Sequence, residues 1–160
     1  MTRRPLLRWL SGLGLASTAA SGQAASVPTR ADKLVLSEAE WQKRLSPAQY
    51  QVLRLEGTER AGTSPLNDEK RAGTFHCAGC DLPLFSSTAK YDSGTCWPSF
   101  HTALRGAVGT KTDFKLVLPR TEYHCARCGG HQGHVFDDGP RPTGKRYCNN
   151  GVALRFEASK

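Results

Sequence analysis

Thr74-Phe75-His76-Cys77-Ala78-Gly79-Cys80 sets a short strand-forming segment directly ahead of a CxxC knuckle, and Glu122-Tyr123-His124-Cys125-Ala126-Arg127-Cys128 repeats the arrangement. Each knuckle places two sulfurs on one tight turn, so the pair can complete a tetrahedral thiolate shell, for which zinc is the expected ion. The 44 residues between the knuckles exceed the spacing of a compact finger, so a metal here would join distant parts of one domain. Four thiolates also close the shell, leaving no position for water or substrate; the expected role is structural. Iron suits the same donors. Disulfides are the other reading, since an exported chain permits them and six cysteines can pair in 15 ways.

Around the knuckles, Gly and Pro punctuate short runs of strand formers: Phe114 to Leu118 and Val152 to Phe156 join the two segments already quoted. The body is therefore expected to be mainly β, with antiparallel strands. Before it, Ser37-Glu38-Ala39-Glu40 has the cap and N3 residues of a capping box, predicting a helix through Trp41 to about Leu45. Ser46-Pro47 restarts the pattern, and a second helix should turn Tyr50, Leu53 and Val52 inward before Gly57 ends it. With 160 residues, 38% of them hydrophobic, and 16 Gly and 9 Pro, the chain suits one modest, loop-rich domain and disfavours a helical bundle.

The amino terminus reads differently. Met1-Thr2-Arg3-Arg4-Pro5-Leu6-Leu7-Arg8 is a positive head, followed by the mildly apolar Trp9 to Ala20 and small residues to Ala25. This is a signal-peptide layout, and Arg3-Arg4 resembles a twin-arginine export signal, so a periplasmic destination is expected. The apolar part is too short for a membrane span, which needs about 20 residues. The expected division is an export signal over 1–25, a linker over 26–36 and the functional domain over 37–157. Taking Arg3, Arg4 and Arg8 from the 22 basic residues leaves 19 against 14 acidic ones, a balance of +5. The remaining cations are interspersed with acids rather than gathered into a phosphate-binding stripe, which argues against a nucleic-acid partner.

Setting aside the four knuckle thiols leaves Cys96 and Cys148. Cys148 lies in Gly144-Lys145-Arg146-Tyr147-Cys148-Asn149-Asn150-Gly151, where Arg146, two residues away, shares its face if the segment is a strand and can favour the thiolate. His131-Gln132-Gly133-His134-Val135-Phe136-Asp137-Asp138 supplies imidazoles and an acid suited to proton transfer near neutral pH. Taken singly, His131 or His134 could be a further metal ligand, Asp138 a turn residue and Cys148 an apolar filler. Together they favour thiol chemistry.

Cys77-x-x-Cys80, Tyr91-Asp92-Ser93-Gly94, Trp97-Pro98-Ser99-Phe100, Cys125-x-x-Cys128, Gly133-His134-Val135-Phe136, Asp138-Gly139-Pro140, Thr143-Gly144 and Arg146-Tyr147-Cys148-x-Asn150 together resemble the methionine sulfoxide reductase B family, over about Ser37 to Phe156. The resemblance implies two antiparallel sheets flanked by short helices, with structural zinc distant from the catalytic cysteine. It implies reduction of the R epimer of methionine sulfoxide in oxidised proteins, with Cys148 as nucleophile passing to sulfenic acid. It further implies that His134, aided by His131 and Asn150, moves a proton to the sulfoxide oxygen, that Arg146 supports Cys148, that Asp138 orients the polar network and that Trp97 walls the substrate methyl group. A thioredoxin-like protein or small thiols would supply the reducing equivalents.

Three positions depart from the family pattern. Where many members carry a recycling cysteine this chain has Thr95, with Cys96 one residue later, and a one-residue shift can reverse a side chain's direction. Cys96 is then expected to resolve the sulfenic acid only if its loop moves; otherwise external thiols reduce Cys148 directly. Gln132 and Asn149 stand where apolar residues are frequent. Two other functions remain open at this point: a zinc-stabilised binding module without catalysis, and a disulfide oxidoreductase using the knuckles themselves.

Overall fold

The computed structural model describes residues 30–115 and 118–160; the expected export signal lies outside them. Two helices, α1 (Glu38–Arg44) and α2 (Pro47–Leu53), precede nine strands: β1 (Gly73–Cys77), β2 (Pro83–Ser86), β3 (Lys90–Tyr91), β4 (Ser99–Phe100), β5 (Val108–Asp113), β6 (Arg120–Cys125), β7 (His131–Phe136), β8 (Arg146–Asn149) and β9 (Leu154–Ala158). They form a three-stranded sheet in the order β2-β1-β9 and a six-stranded sheet in the order β3-β4-β8-β7-β6-β5. Every pairing is antiparallel. The expected mainly β body of two antiparallel sheets with short N-terminal helices is what the chain forms.

Both helix starts follow the capping chemistry. Ser37 accepts from Glu40 N–H while the Glu40 carboxylate accepts from Ser37 N–H, and Ser46 and Gln49 make a second reciprocal box that the sequence reading missed. Trp41, Val52 and Leu53 are buried, whereas Tyr50 is half-buried and donates its hydroxyl to Glu38. α2 ends at Leu53 rather than running to Gly57; Gly57 lies in the following turn, its N–H on the Gln51 carbonyl. Residues 30–36, read as linker, lie against the body: Leu34 N–H bonds Arg127 O, and Leu34 and Leu36 pack on the core.

Rings from the two sheets form the centre of the core. Phe75 of β1 meets Phe100 of β4 edge-on at 4.9 Å, Phe85 of β2 stacks on Phe100 at 4.2 Å, and Tyr123 of β6 meets Tyr147 of β8 at 5.2 Å. Alternation along β1 explains the arrangement, since Phe75 and Cys77 face inward while Thr74 and His76 are only half-buried.

Two strand expectations require correction. Of the strand expected over Phe114 to Leu118, the described residues Phe114, Lys115 and Leu118 belong to no strand, and Phe114 and Leu118 are exposed; residues 116 and 117 lie outside the described residues. The strand lies earlier, over the polar Val108-Gly109-Thr110-Lys111-Thr112-Asp113 at the sheet edge, where pairing with β6 overrides weak propensity. Val152 belongs to a 3-10 turn over Gly151–Ala153, so the last strand begins at Leu154.

Candidate active site and metal centre

The four knuckle cysteines converge. Cys77 ends β1 and Cys125 ends β6; with Cys80 and Cys128 on the turns that follow, all four sulfurs lie within 4.8 Å of one another and are buried. Two separations, 3.4 Å for Cys80 to Cys125 and 3.7 Å for Cys77 to Cys128, approach the edge of about 3.8 Å expected for a tetrahedron with Zn–S bonds of about 2.3 Å. No pair is bonded as a disulfide. The donor set and the spacing therefore fit a metal such as zinc. Arg44, Arg54 and Arg127 donate to the Gly79, Cys128 and Cys80 carbonyls, bringing cations around a shell that four thiolates would make anionic. His131 and His134 are not members of the cluster.

Cys148 sits in β8 between two neighbours, opposite His134 of β7 on one side and opposite Ser99 of β4 on the other. Directly opposed residues point to the same face, so this register brings Cys148 and His134 together. Both line a cavity of about 220 Å³ with Trp97, Arg120, Phe136 and Arg146. Close approach of the strands requires Gly133: a Cβ there would fall 1.9 Å from the Cys148 carbonyl oxygen.

The two histidines reach one side of β7 through a bulge. Tyr123 pairs with Gly133 and His124 with His131, so two consecutive residues of β6 oppose residues two apart in β7, and Gln132 is the extra one. This resets the alternation that would otherwise send His131 and His134 to opposite faces; their rings lie 5.5 Å apart, edge to face. His131 is behind His134, 2% exposed, with Nδ1 2.9 Å from Glu122 Oε1 and Nε2 unpartnered among the described residues. His134 Nε2 lies 2.7 Å from Asp113 Oδ2, which also pairs with Arg120. Its pKa is lowered, chiefly by burial, with Asp113 acting in the opposite direction.

Burial likewise pushes the Cys148 thiol up, and the opposing effects of the Thr95 hydroxyl, the Arg146 guanidinium and the Ser99 hydroxyl do not overcome it. Thr95 Oγ1 lies 3.9 Å from Cys148 Sγ and continues through Ser93 to Ser99, with oxygen separations of 2.8 and 2.7 Å. In the free protein the site thus favours a neutral thiol facing a neutral imidazole.

Arg146 is clamped by Asp138 through two bonds of 2.8 Å and stacks 4.3 Å from the Phe136 ring centre. Asp138 is itself exposed and touches the site only through Arg146. Asn150 lines the cavity, but its side-chain Oδ1 accepts from Glu59 N–H and its Nδ2 donates to Gln132 O, an arrangement suited to holding the wall in place. Trp97 donates its indole N–H to the Glu59 carbonyl and stands between this cavity and a neighbouring one. Cys96 lines that neighbouring cavity; it is exposed, with left-handed backbone at φ 66°.

Asp113, Glu122, Ser99 and Glu59 had no role assigned in the sequence reading, because residues they meet come from other segments of the chain. A larger open groove of about 620 Å³ beside α2 contains no cysteine or histidine, and its carboxylate, Glu59, already accepts from the Gly151 and Val152 N–H groups.

The SelR domain family matches residues 45–158. The chain is 55% identical over 119 residues to peptide methionine sulfoxide reductase MsrB of Pseudomonas putida, covering 74% of this chain and 90% of that protein. It is 53% identical over 124 residues to the chloroplastic peptide methionine sulfoxide reductase B1 of Arabidopsis thaliana, covering 77% of this chain but 61% of that longer protein. Identity to the mitochondrial methionine-R-sulfoxide reductase B2 of Rattus norvegicus is 45% over 164 residues, covering 96% of this chain and 94% of that protein.

Proposed function

Because this chain belongs to the SelR-domain family of methionine-R-sulfoxide reductases, we propose that it reduces the R epimer of protein-bound methionine sulfoxide through a sulfenic acid on Cys148. The observation that carries this reading is the opposition of Cys148 and His134 across β7 and β8 in one cavity.

Cys148 sulfur attacks the sulfoxide sulfur, the thiol proton passes to the sulfoxide oxygen through His134, and the S–O bond breaks as oxygen is transferred to cysteine. Methionine leaves and Cys148 holds sulfenic acid; atoms balance with no other reactant. A relay is needed because an unprotonated oxide is a poor leaving group, and an imidazole whose pKa burial lowers rests neutral, free to take the thiol proton and ready to give it up. Trp97 presents an aromatic wall that sets the methyl group, and hence the epimer, on one side.

Return to the thiol consumes two electrons from an external thioredoxin-like protein or small thiols. Direct attack on Cys148 is supported by Thr95, which faces it where a resolving cysteine would stand. Resolution through Cys96 would need the 94–96 turn to reverse, bringing that thiol out of the neighbouring cavity. The metal centre, with zinc as the proposed ion, is structural, since four thiolates leave no open position. Export to the periplasm remains our proposal for residues 1–25. Among the described residues, no helix is long and apolar enough to cross a membrane.

The test gives separated R and S epimers of a methionine-sulfoxide peptide to wild type and Cys148→Ser with excess dithiothreitol. R-selective reduction that disappears in the variant, with metal content retained, is expected. Absence of reduction by folded, metal-loaded wild type would reject the reading and bring forward a metal-stabilised binding module.

A further inference from the structure

We infer that Gln132 is an outer member of the metal centre, donating an N–H···S hydrogen bond from its side-chain amide to the metal-bound Cys77 thiolate. Its main-chain carbonyl meanwhile holds the Asn150 wall of the catalytic cavity.

Gln132 is fully buried, a costly position for an amide, and its Nε2 lies 3.4 Å from Cys77 Sγ. The orientation follows from charge: a metal-bound thiolate is an acceptor, so the amide must present N–H, whereas the flipped rotamer would press Oε1 against the sulfur. Oε1 is left without a partner among the described residues. A residue present only to fill the core would do better as an apolar side chain, with neither amide group to satisfy.

The donor is placed by the β7 bulge. As the extra residue between Gly133 and His131, Gln132 is freed from the regular ladder. Its carbonyl accepts from Asn150 N–H at 2.8 Å and Asn150 Nδ2 at 3.0 Å. One residue thus touches a metal ligand with its side chain and the catalytic wall with its backbone. Hydrogen bonds from outside the shell withdraw charge from a thiolate and fix the ligand's direction. Gln132 accordingly makes Cys77 a weaker electron donor and a better-held ligand, and it is a positioning residue rather than a catalytic one.

The test uses the full chain loaded with cobalt or zinc and compares wild type, Gln132→Met and Tyr123→Phe. Methionine keeps the length of glutamine without the donor. Tyr123→Phe removes a different buried bond, the 2.6 Å contact to Asn149, which involves none of the knuckle sulfurs, and controls for general loosening. In Gln132→Met the sulfur-to-cobalt charge-transfer band should move to lower energy, and zinc affinity in competition with a chromophoric chelator should fall roughly 10- to 100-fold. Tyr123→Phe should change neither. An unchanged band and affinity in folded Gln132→Met would overturn the inference, as would equal changes in both variants. If Gln132→Met does not fold, Gln132→Leu replaces it under the same criteria, and the Gln132 N–H···S bond to Cys77 can be sought directly in the wild-type cadmium form as scalar coupling between Gln132 side-chain protons and the metal. Absence of that coupling would also overturn it. These readouts are independent of reductase activity, so they stand apart from failure of the functional proposal.

Discussion

His134 is held between two opposing influences: burial lowers its pKa, and the Asp113 carboxylate raises it. Asp113 is held well below the usual carboxylate range, first by the Lys115 backbone N–H, then by His134 and Arg120, so it remains charged across the working range. Replacing it in Asp113→Asn removes the influence that raises the imidazole pKa. The imidazole then takes up a proton only at lower pH, and because the reacting form has His134 neutral, the acid-side decline of kcat/KM should move to lower pH. At pH 7.5 the loss should be about 100-fold, the low end of what a positioned proton-transfer group contributes. A pH–rate profile checks both. An unchanged acid limb with the fold intact would remove Asp113 from the proton path. No local pattern marked this residue; it lies 21 positions before His134 and joins it only because β5, β6 and β7 are neighbours.

At the scale of the element, β7 does most to build the site. Its bulge brings His131 and His134 to one side, and Gly133 lets β8 approach. Gly133→Ala should push β8 away, since the added Cβ would stand 1.9 Å from the Cys148 carbonyl oxygen. Overpacking of this kind costs about 1–3 kcal/mol, so Tm should fall by about 5–10 °C, with loss of most activity because the Cys148–His134 register is disturbed. Thermal unfolding and peptide reduction assays on one preparation test this; wild-type values for both would mean that the strands separate without cost. The elements readable in advance were those with local chemistry: Ser37 with its N3 partner Glu40, Ser46 with Pro47, and β1 and β6 ahead of their knuckles. β5 was not readable, because its polar residues become a strand only by pairing with β6. The apolar Phe114 to Leu118 misled for the complementary reason, as its composition suits a strand but its described ends, Phe114 and Leu118, are exposed and outside any strand. The same limit applies to the site. Cys148 and His134 stood out as residues, but Asp113 and the bulge at Gln132 depend on cross-strand register, which spacing alone does not give.

Considered as a whole, the molecule is two sheets joined by an aromatic layer and by four sulfurs. Cys77 and Cys80 follow the three-stranded sheet, Cys125 and Cys128 follow the six-stranded sheet, and the sulfurs meet within 4.8 Å. A metal there closes a long loop and resists separation of the sheets, and its binding free energy becomes folding free energy. Cys80→Ser, or chelation of wild type, should abolish stoichiometric metal and lower Tm by more than about 10 °C. The catalytic cavity should fail as well, although none of its lining residues is a ligand, because Phe85 and Phe100 would lose their stacked contact and β4 carries Ser99 beside Cys148. Amide hydrogen exchange distinguishes a clamp between sheets from a local staple. Loss of protection in β1, β6 and β8 at a common rate after chelation is expected for the clamp. Retention of full protection in β6 and β8, with exchange confined to the knuckle turns, would show that the aromatic layer alone holds the sheets together.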